Sequence, residues 1–247
     1  MIRTTDALIL YTSPFRETSR IVVFLSRDYG KLVTLAKGVR RQEGRFVSPM
    51  DPFTYNRIVF YERPRTGLHL LTQCDLLDAF VPLRGNLEAI ACGFYFLELA
   101  DRSSQPGVKE EWLFSLLLGS LRQLAKGAPS LLLARAFEIK LLANSGFMPE
   151  LHLCISCHRP LSERVSPRFE RGGFLCETCQ GKTPQRFSKG TVASLDYLAS
   201  SDLSKLSRFQ LSKTDRDQVG VLLEKFLEFY LEERPKSRPF LEKVGLS

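Results

Sequence analysis

The stretch ALILYTSPFRETSRIVVFLSRDYGKLVTLAKG, residues 7–38, decides the class of the N-terminal fold. Its three runs of apolar and β-branched residues are separated by SPF and RDYG, which are turn signals. Two further runs of the same kind follow at 52–62 (PFTYNRIVFYE) and 68–78 (LHLLTQCDLLD), with the turn PRTG between them. Five short strands with no helical pattern between them predict a small closed β-barrel over residues 1–80.

Beyond Pro82 the apolar residues recur at intervals of three and four, which is the pattern of helices with one buried face. Ser130, Ser188 and Thr214 are the expected N-caps. The predicted helices cover residues 87–101, 111–126, 130–145, 188–200 and 214–233.

These patterns predict a multi-domain α+β protein. The 247 residues leave room for more than one domain, and 44% of them are hydrophobic, which is enough for a packed core. We expect the barrel at 1–80, an α-helical domain in two parts at 81–150 and 183–247, and a cysteine-rich subdomain inserted between those parts at 151–182.

Four cysteines form two Cys-x-x-Cys pairs, Cys154 with Cys157 and Cys176 with Cys179. Four thiolates at about 2.3 Å satisfy a tetrahedral Zn²⁺, and each pair supplies two ligands from one tight turn. The sequence therefore predicts a four-cysteine site for a structural Zn²⁺. A redox pair, disulfides and a degenerate site without metal are the alternatives.

Such a site is not expected to be catalytic, because four thiolates leave no position for an activated water. His152 and His158 flank the first pair and are alternative ligands. The segment is short and polar, so we expect the metal to supply its folding energy. The basic residues around it either contact phosphates or offset the negative charge of the centre. They are Arg159, Arg164, Arg168, Arg171, Lys182, Arg186 and Lys189.

The net charge of +8 favours a polyanionic partner, either nucleic acid or an anionic membrane surface. No run of about 18 apolar residues is present, and the start of the chain does not resemble a signal peptide. We therefore expect a cytoplasmic protein with no membrane partner.

Basic residues concentrate between residues 16 and 45, where eight face three acids. A loop with several guanidinium groups, such as KGVRRQEGR at 37–45, can follow a phosphate backbone without sequence preference. In 52–62, strand alternation puts one set of residues on a common face: Phe53, Tyr55, Arg57, Val59 and Tyr61. Either bases stack on this face, or the face packs into the protein. The expected nucleic-acid contacts are Arg16, Arg20, Lys31, Lys37, Arg40, Arg41, Arg45 and Arg57.

Motifs of catalysis are missing from the sequence. Walker A, GxGxxG and GxSxG patterns do not occur, His69 stands alone in a strand pattern, and no acidic cluster has the form of a two-metal nuclease site. Cys74 and Cys92 are expected to be buried apolar residues. The chain is therefore predicted to bind rather than catalyse. A zinc-containing RNA-binding module, a metal-dependent nuclease and a purely structural interaction protein are the alternatives.

Several stretches resemble the RecO family, bacterial mediators of recombinational repair. SRDYGKLVTLAKGVRR, MDPFTYNRIVFYE and LLTQCDLLDAF are similar to its N-terminal barrel. RAFEIKLLANSGFMPELHLCISC resembles the passage from its central helices into its zinc motif. FLEFYLEERPKSRPFL, with Ser237, Arg238 and Leu241, is similar to its C-terminal pattern. The matches run through nearly the whole chain in the family's order.

The resemblance implies an OB-fold, a helical domain and a zinc-binding insertion. It implies binding of single- and double-stranded DNA, annealing of complementary strands and help in loading recombinase onto strands coated with single-strand-binding protein. The implied location is the bacterial cytoplasm, at the nucleoid when active. The implied partners are RecR and the acidic tail of single-strand-binding protein.

That tail ends in an aromatic residue, so it needs a basic rim beside an apolar groove between helices. Four residues on the predicted helices are candidates for the rim, although Arg135 could instead form an ion pair with Glu138. The four are Arg122, Lys126, Arg135 and Lys140.

Overall fold

The computed structural model describes residues 1–39, 50–181 and 186–246. The chain divides into two compact units, Met1–Lys126 and Gly127–Ser247. The first contains a closed five-stranded barrel followed by helices, and the second contains helices and a small sheet, so the predicted α+β class is confirmed. The domain boundaries drawn at residues 80, 150 and 182 stay a prediction.

The barrel has the strand order of an OB-fold. Its order is β1-β2-β3-β5-β4, and pairing of β1 with β4 closes it. Neighbouring strands are antiparallel except β3 and β5, which are parallel. All five predicted strands are present, including 68–78. The strands are β1 (Ile2–Phe15), β2 (Ser19–Ser26), β3 (Gly30–Ala36), β4 (Tyr55–Tyr61) and β5 (Leu68–Asp78).

The interior of the barrel is filled by alternate residues of each strand, among them Ile9, Phe24, Ile58 and Phe60. Cys74 belongs to this core, and Cys92 is buried in the first helix, as predicted. Burial of these apolar side chains is the main stabilising contribution to the first unit.

The helices α1 (Leu87–Ser103) and α2 (Glu111–Ala125) follow the barrel in the first unit. The Asn86 side chain caps α1 by accepting a hydrogen bond from the Ala89 N–H at 3.0 Å. α1 packs against β1, whose outward Leu8 and Leu10 are buried. Both helices match the predicted ranges to within two residues.

The predicted common face of Phe53, Tyr55, Arg57, Val59 and Tyr61 is wrong at its first member. Phe53 precedes β4, with a φ of 62°, and its ring lies 4.5 Å from that of Phe94 in α1. Tyr55 is buried, whereas Arg57 and Tyr61 are exposed. The left-handed backbone at Phe53 breaks the alternation on which the prediction relied.

In its described residues, 127–181 and 186–246, the second unit holds four α-helices and a four-stranded sheet of order β6-β8-β7-β9. The helices are α3 (Ser130–Asn144), α4 (Lys189–Ser200), α5 (Lys213–Leu231) and α6 (Arg238–Lys243). The strands are β6 (Glu150–Cys154), β7 (Arg164–Arg168), β8 (Gly173–Cys176) and β9 (Phe187–Ser188).

Of the three expected N-caps, one is confirmed. Ser188 caps α4 by accepting from the Thr191 N–H at 3.0 Å. Ser130 is wrong because α3 already begins at that residue, and Thr214 is wrong because Ser212 caps α5, accepting from the Asp215 N–H. α6 was not predicted.

A buried ion-pair cluster joins α3 to α6 in the second unit. Arg135 Nη1 donates to both carboxylate oxygens of Glu138 at 2.8 Å, and Arg238 Nη1 donates to one of them at 3.1 Å. All three side chains are at most 3% exposed. The structural alternative for Arg135, an ion pair with Glu138, is therefore present.

None of the helices in the parts of the chain that the structure describes is both long and apolar enough to cross a membrane.

Candidate metal centre and nucleic-acid interface

The four cysteines meet, as the sequence predicts. Their Sγ atoms all lie within 4.8 Å of one another, and Sγ of Cys157 is 3.7 Å from Sγ of Cys176. A tetrahedral ion with bonds of about 2.3 Å separates its ligand sulfurs by about 3.8 Å, so the set fits such an ion. The four residues could hold a metal ion.

Short strands bring the two pairs together. Cys154 ends β6, Cys176 ends β8, and these neighbouring strands run parallel. β7 pairs antiparallel with β8, with Val165 opposite Cys176, which is the hairpin expected between the pairs. Each second cysteine then follows in a turn: the His158 N–H donates to the Cys154 carbonyl, and the Cys179 N–H to the Cys176 carbonyl.

The environment of the sulfurs favours a bound cation. The Arg159 backbone N–H and guanidinium both donate to Cys157 Sγ and lower the pKa of this thiol to about 6. The pKa of Cys179 is raised to about 12, because its Sγ lies against Cys157 and Cys176. Four thiolates this close repel one another, so all four ionise together only when a cation is bound between them.

The two flanking histidines are not part of this set. Among the residues of the described ranges, the cysteine cluster is the single group of three or more Cys, His, Asp or Glu ligand atoms close enough to share an ion. His152 is exposed, with Nε2 3.7 Å from an Asp196 carboxylate oxygen. His158 is exposed and has a φ of 57° in the turn after Cys157.

The cysteine-containing sheet packs against α5 of the same unit. Val165 and Phe174 are fully buried. The Phe226 ring of α5 lies 6.1 Å from that of Phe174 and 4.9 Å from that of Phe169. Packing against α5 therefore stabilises the sheet along with any metal.

Some of the basic residues around the cysteines have structural partners. Arg159 contacts Cys157 and offsets thiolate charge, Arg171 donates to the Ile155 carbonyl at 3.1 Å, and Lys189 faces Glu163 at 4.0 Å. Lys182 lies outside the described residues. These contacts support charge compensation for part of the set. Phosphate contact by its other members stays a prediction.

Three of the predicted DNA-contacting residues gather at one end of the barrel. Arg20 of β2 pairs with Pro14 of β1 on one side and with Ala36 of β3 on the other. Arg16 and Lys37 follow Pro14 and Ala36 closely along the chain, so they lie at the same end of the barrel as Arg20. Arg16 and Lys37 are exposed and Arg20 is half-buried. The Arg16 guanidinium lies over the Phe15 ring at 5.4 Å. Arg40, Arg41 and Arg45 lie outside the described residues.

Lys31 and Arg57 are held in ion pairs. Lys31 Nζ contacts the Asp101 carboxylate and donates to the Asp101 carbonyl at 2.9 Å. Arg57 Nε donates to Asp6 at 2.9 Å, and Asp75 lies opposite Arg57 on β5. Burial opposes ionisation of Asp6, but the hydrogen bonds from Arg57 and Tyr55 outweigh it and lower the Asp6 pKa.

The four residues predicted for the acidic tail are divided between the two units. Arg122 and Lys126 belong to the first, where the Arg122 guanidinium lies 5.8 Å from the Tyr55 ring centroid. Arg135 and Lys140 belong to the second, where Arg135 is 1% exposed and Lys140 Nζ donates to the Ala199 carbonyl at 2.7 Å.

A cleft of about 390 Å³ in the second unit, with both polar and apolar walls, was not predicted. Its apolar lining includes Leu131, Leu132, Phe209 and Leu211, and its polar lining includes Arg135, Gln210 and the exposed Arg216. The sequence held one signal for this cleft: the apolar residues Phe209 and Leu211 lie just before α5, outside the repeat of any predicted helix.

Comparison with known proteins assigns the family. The model "Recombination protein O N terminal" matches residues 1–80, and "Recombination protein O C terminal" matches residues 84–239. Proteins named "DNA repair protein RecO" are similar over nearly their whole lengths. That of Moorella thermoacetica is 32% identical, covering 97% of this chain and 90% of its own, and that of Desulforudis audaxviator is 34% identical, covering 98% and 97%. The chain therefore belongs to the RecO family of DNA repair proteins.

Proposed function

We propose that this protein binds single- and double-stranded DNA through the phosphate backbone and anneals complementary strands. With RecR, it helps to load recombinase onto strands coated with single-strand-binding protein, in the cytoplasm and at the nucleoid. The observation that carries the DNA-binding step is the basic end of an OB-type barrel, where Arg16 and Lys37 are exposed and Arg20 is half-buried.

This arrangement suits an annealing protein. Contacts to phosphates fix the position of a strand and carry no sequence information, so base edges stay free to pair. Guanidinium and ammonium groups at strand ends and in loops hold the backbone in this way. The proposed contacts are Arg16, Arg20 and Lys37, together with Arg40, Arg41 and Arg45 of the adjoining loop. Lys31 and Arg57 are left out because carboxylates already pair with them.

The salt dependence of DNA binding tests this surface. We expect simultaneous replacement of Arg16, Arg20 and Lys37 by Ala to reduce the slope of log K against log salt by about 2 for a single strand, since each phosphate contact contributes about 0.7. The Arg57→Ala protein is the matched control and should keep the wild-type slope. An unchanged slope in the triple variant would remove this end of the barrel from the interface.

We also propose that Cys154, Cys157, Cys176 and Cys179 hold a structural Zn²⁺. When bound, the ion supplies cross-linking of the two Cys-x-x-Cys turns. The chain's own residues do the rest: β6, β7 and β8 position the sulfurs, and Arg159 stabilises thiolate at Cys157. Metal analysis should find one zinc per wild-type chain and much less in Cys154→Ser, whereas Cys74→Ala should keep the wild-type content. Full zinc in Cys154→Ser would contradict the assignment.

Annealing and loading need no covalent chemistry, and we propose that the protein is not an enzyme. Incubation of labelled DNA with the pure protein and Mg²⁺ or Mn²⁺ should leave the strands intact. The basic barrel is also compatible with the alternative of an RNA-binding, translation-associated module. Competition between DNA and RNA of matched sequence separates the two, because stronger binding of RNA would favour the alternative.

We also propose a binding site for the tail of single-strand-binding protein, the cleft beside Arg216. An acidic peptide with a terminal aromatic residue needs apolar walls and a basic rim, and Phe209, Leu132 and Arg216 provide them. Arg216→Glu should weaken binding of such a labelled peptide at least about tenfold, because attraction becomes repulsion. Lys109→Glu, an exposed residue of the first unit with no proposed role in binding, is the control. Equal losses in both variants would point to non-specific charge attraction.

A further inference from the structure

The cysteine cluster is covered unequally by the protein around it. Cys154 and Cys176, which end β6 and β8, are buried, whereas Cys157 and Cys179, which follow in the turns, are partly exposed. Solvent therefore reaches one side of the proposed metal centre. Buried structural cysteines are inert because reagents cannot reach them, but partly exposed thiolates stay open to oxidants.

Two of these sulfurs are placed to form a disulfide. Sγ of Cys157 lies 3.7 Å from Sγ of Cys176, so the two atoms are in van der Waals contact and a small side-chain movement joins them. Cys157 is the partly exposed member and Cys176 the buried one. An oxidant from solvent thus meets Cys157 first, and Cys176 lies within reach behind it as the thiolate that completes the disulfide.

A positive charge lies beside the exposed sulfur. The guanidinium of Arg159, an exposed residue, donates a hydrogen bond to Cys157 Sγ. Attack of a thiolate on hydrogen peroxide releases hydroxide, and a neighbouring guanidinium stabilises the negative charge that develops on it. Exposure and charge together single out Cys157 as the first sulfur to react.

We propose that this centre is a redox switch, in which hydrogen peroxide oxidises Cys157 and Cys176 to a disulfide and releases the bound Zn²⁺. The inference rests on the proposed zinc site. The Cys157 thiolate attacks the peroxide, the O–O bond breaks, and a sulfenic acid and hydroxide form. The Cys176 thiolate then attacks the Cys157 sulfur, the S–S bond forms, and a second hydroxide leaves. The two sulfurs lose two electrons to the peroxide, and the ion departs because only two thiolates remain to hold it.

The disulfide keeps the two turns joined after the metal has left. It links residues 19 positions apart in the sequence and so closes a loop across β7 and β8, much as the ion does. The sheet can therefore lose its ion and stay folded, and reduction of the disulfide regenerates the zinc-binding form. Disulfides of cytosolic proteins are mostly transient and serve catalysis or redox sensing, which suits a reversible switch in the proposed compartment.

Titration of the zinc-loaded, full-length protein with hydrogen peroxide tests the switch. One equivalent should release about one Zn²⁺ per chain, measured with a chromogenic chelator, because one peroxide oxidises one pair of thiolates. The thiol count of the denatured chain should fall by that pair, from six to four. Peptide mapping, with fragmentation between the cysteines of each pair, should locate the new bond between Cys157 and Cys176. A dithiol reductant and zinc should restore the metal and all six thiols.

A variant that retains all four cysteines tests which sulfur reacts first. Arg159→Ala should release zinc to peroxide at least about threefold more slowly than wild type, because the charge that stabilises the departing hydroxide is gone. Arg164→Ala, which removes an exposed arginine from β7 of the same sheet, is the matched control for net charge and should keep the wild-type rate. Equal rates in the two variants would remove Arg159 and Cys157 from the first step.

Two outcomes of the peroxide titration would overturn the switch and leave the metal assignment standing. In the first, the protein keeps its zinc in excess peroxide. In the second, zinc is released but the new bond joins cysteines other than Cys157 and Cys176. A wild-type chain that binds no zinc would overturn the metal assignment and the switch together.

Discussion

At the scale of single residues, the contacts of a charge decide its role. Arg57 and Arg16 look equivalent in the sequence, yet Arg57 lies beside Asp6 and across from Asp75, whereas Arg16 rests on the Phe15 ring. The pairing of Arg135 with Glu138 could be predicted from their spacing of three on a helix. The pairing of Lys31 with Asp101, 70 residues away, depends on tertiary structure that no local pattern encodes.

The buried cluster around Glu138 yields a residue-scale prediction. Glu138→Gln removes the carboxylate that pairs with the buried Arg135 guanidinium, while Arg238 keeps its contacts with Glu224 and Glu242. Breaking a buried pair in this way costs about 3–5 kcal/mol. We therefore expect the free energy of unfolding, measured in urea, to fall by about that amount.

Glu228→Gln is the matched control for this change, because Glu228 pairs with the half-exposed Lys225 on the surface of α5. An exposed pair contributes about 1 kcal/mol or less. A loss in Glu138→Gln no larger than that in the control would mean that the cluster does not stabilise the unit.

At the scale of elements, the sequence predicted all five barrel strands and five helices with small errors at the ends. Periodicity and turn residues are local signals, and they determined these elements. The errors have local causes too. α6 is only six residues long, too short to show a repeat, and the left-handed backbone at Phe53 interrupts strand alternation. Arg40, Arg41 and Arg45 lie outside the described residues, so their contacts stay a prediction.

The approach of the Val108 loop to β3 depends on Gly30. Its φ is 62°, and a Cβ at this position would lie 1.8 Å from the Val108 carbonyl oxygen. Gly30→Ala must displace backbone and adopt an unfavourable φ, so we expect the free energy of unfolding to fall by more than about 2 kcal/mol. Gly67→Ala is the control: its φ is 63° but nothing lies within 4 Å of its Cβ, so only the φ penalty applies. Equal losses in the two variants would contradict the close approach.

The start of α5 gives a pH-dependent prediction. The Asp215 carboxylate accepts hydrogen bonds from the hydroxyls of Ser212, Thr191 and Ser188. The bond from Ser212 has the largest effect, and together they hold the pKa of Asp215 below its ordinary value. A lowered folded pKa means that the stabilisation is present above the unfolded pKa of about 3.9 and is lost as the pH falls through the folded value.

Asp215→Asn should therefore be less stable than wild type by about 1 kcal/mol at pH 7, with the difference shrinking as the pH falls below about 4. Urea unfolding at a series of pH values measures both quantities. A difference that grows on acidification would show that the carboxylate is not the stabilising form.

At the scale of the whole molecule, we assign different tasks to the two compact units. The barrel in Met1–Lys126 carries the proposed DNA contacts, and the cysteine centre in Gly127–Ser247 stabilises the structure around it. Family membership could be predicted from sequence because its motifs recur in order along the chain. Which basic residues remain unpaired could not, since each ion pair depends on the folded structure.

Removal of the metal should act on the second unit alone. A bound metal stabilises the folded unit, so chelation should lower the midpoint of its thermal unfolding. The ring NMR signals of His152 and His158, which belong to that unit, monitor this transition. The fluorescence of Trp112, in α2, reports on the first unit and should keep its transition. Coincident shifts of both signals would contradict a separate role for the metal.

The salt dependence of single-strand binding, measured on metal-loaded and metal-stripped protein side by side, tests most directly whether the barrel rather than the metal centre holds DNA. We expect the same slope of log K against log salt for both forms, since the proposed phosphate contacts come from Arg16, Arg20, Lys37 and the loop beside them. A slope that collapses on removal of the metal, while the triple barrel variant keeps the wild-type slope, would contradict it.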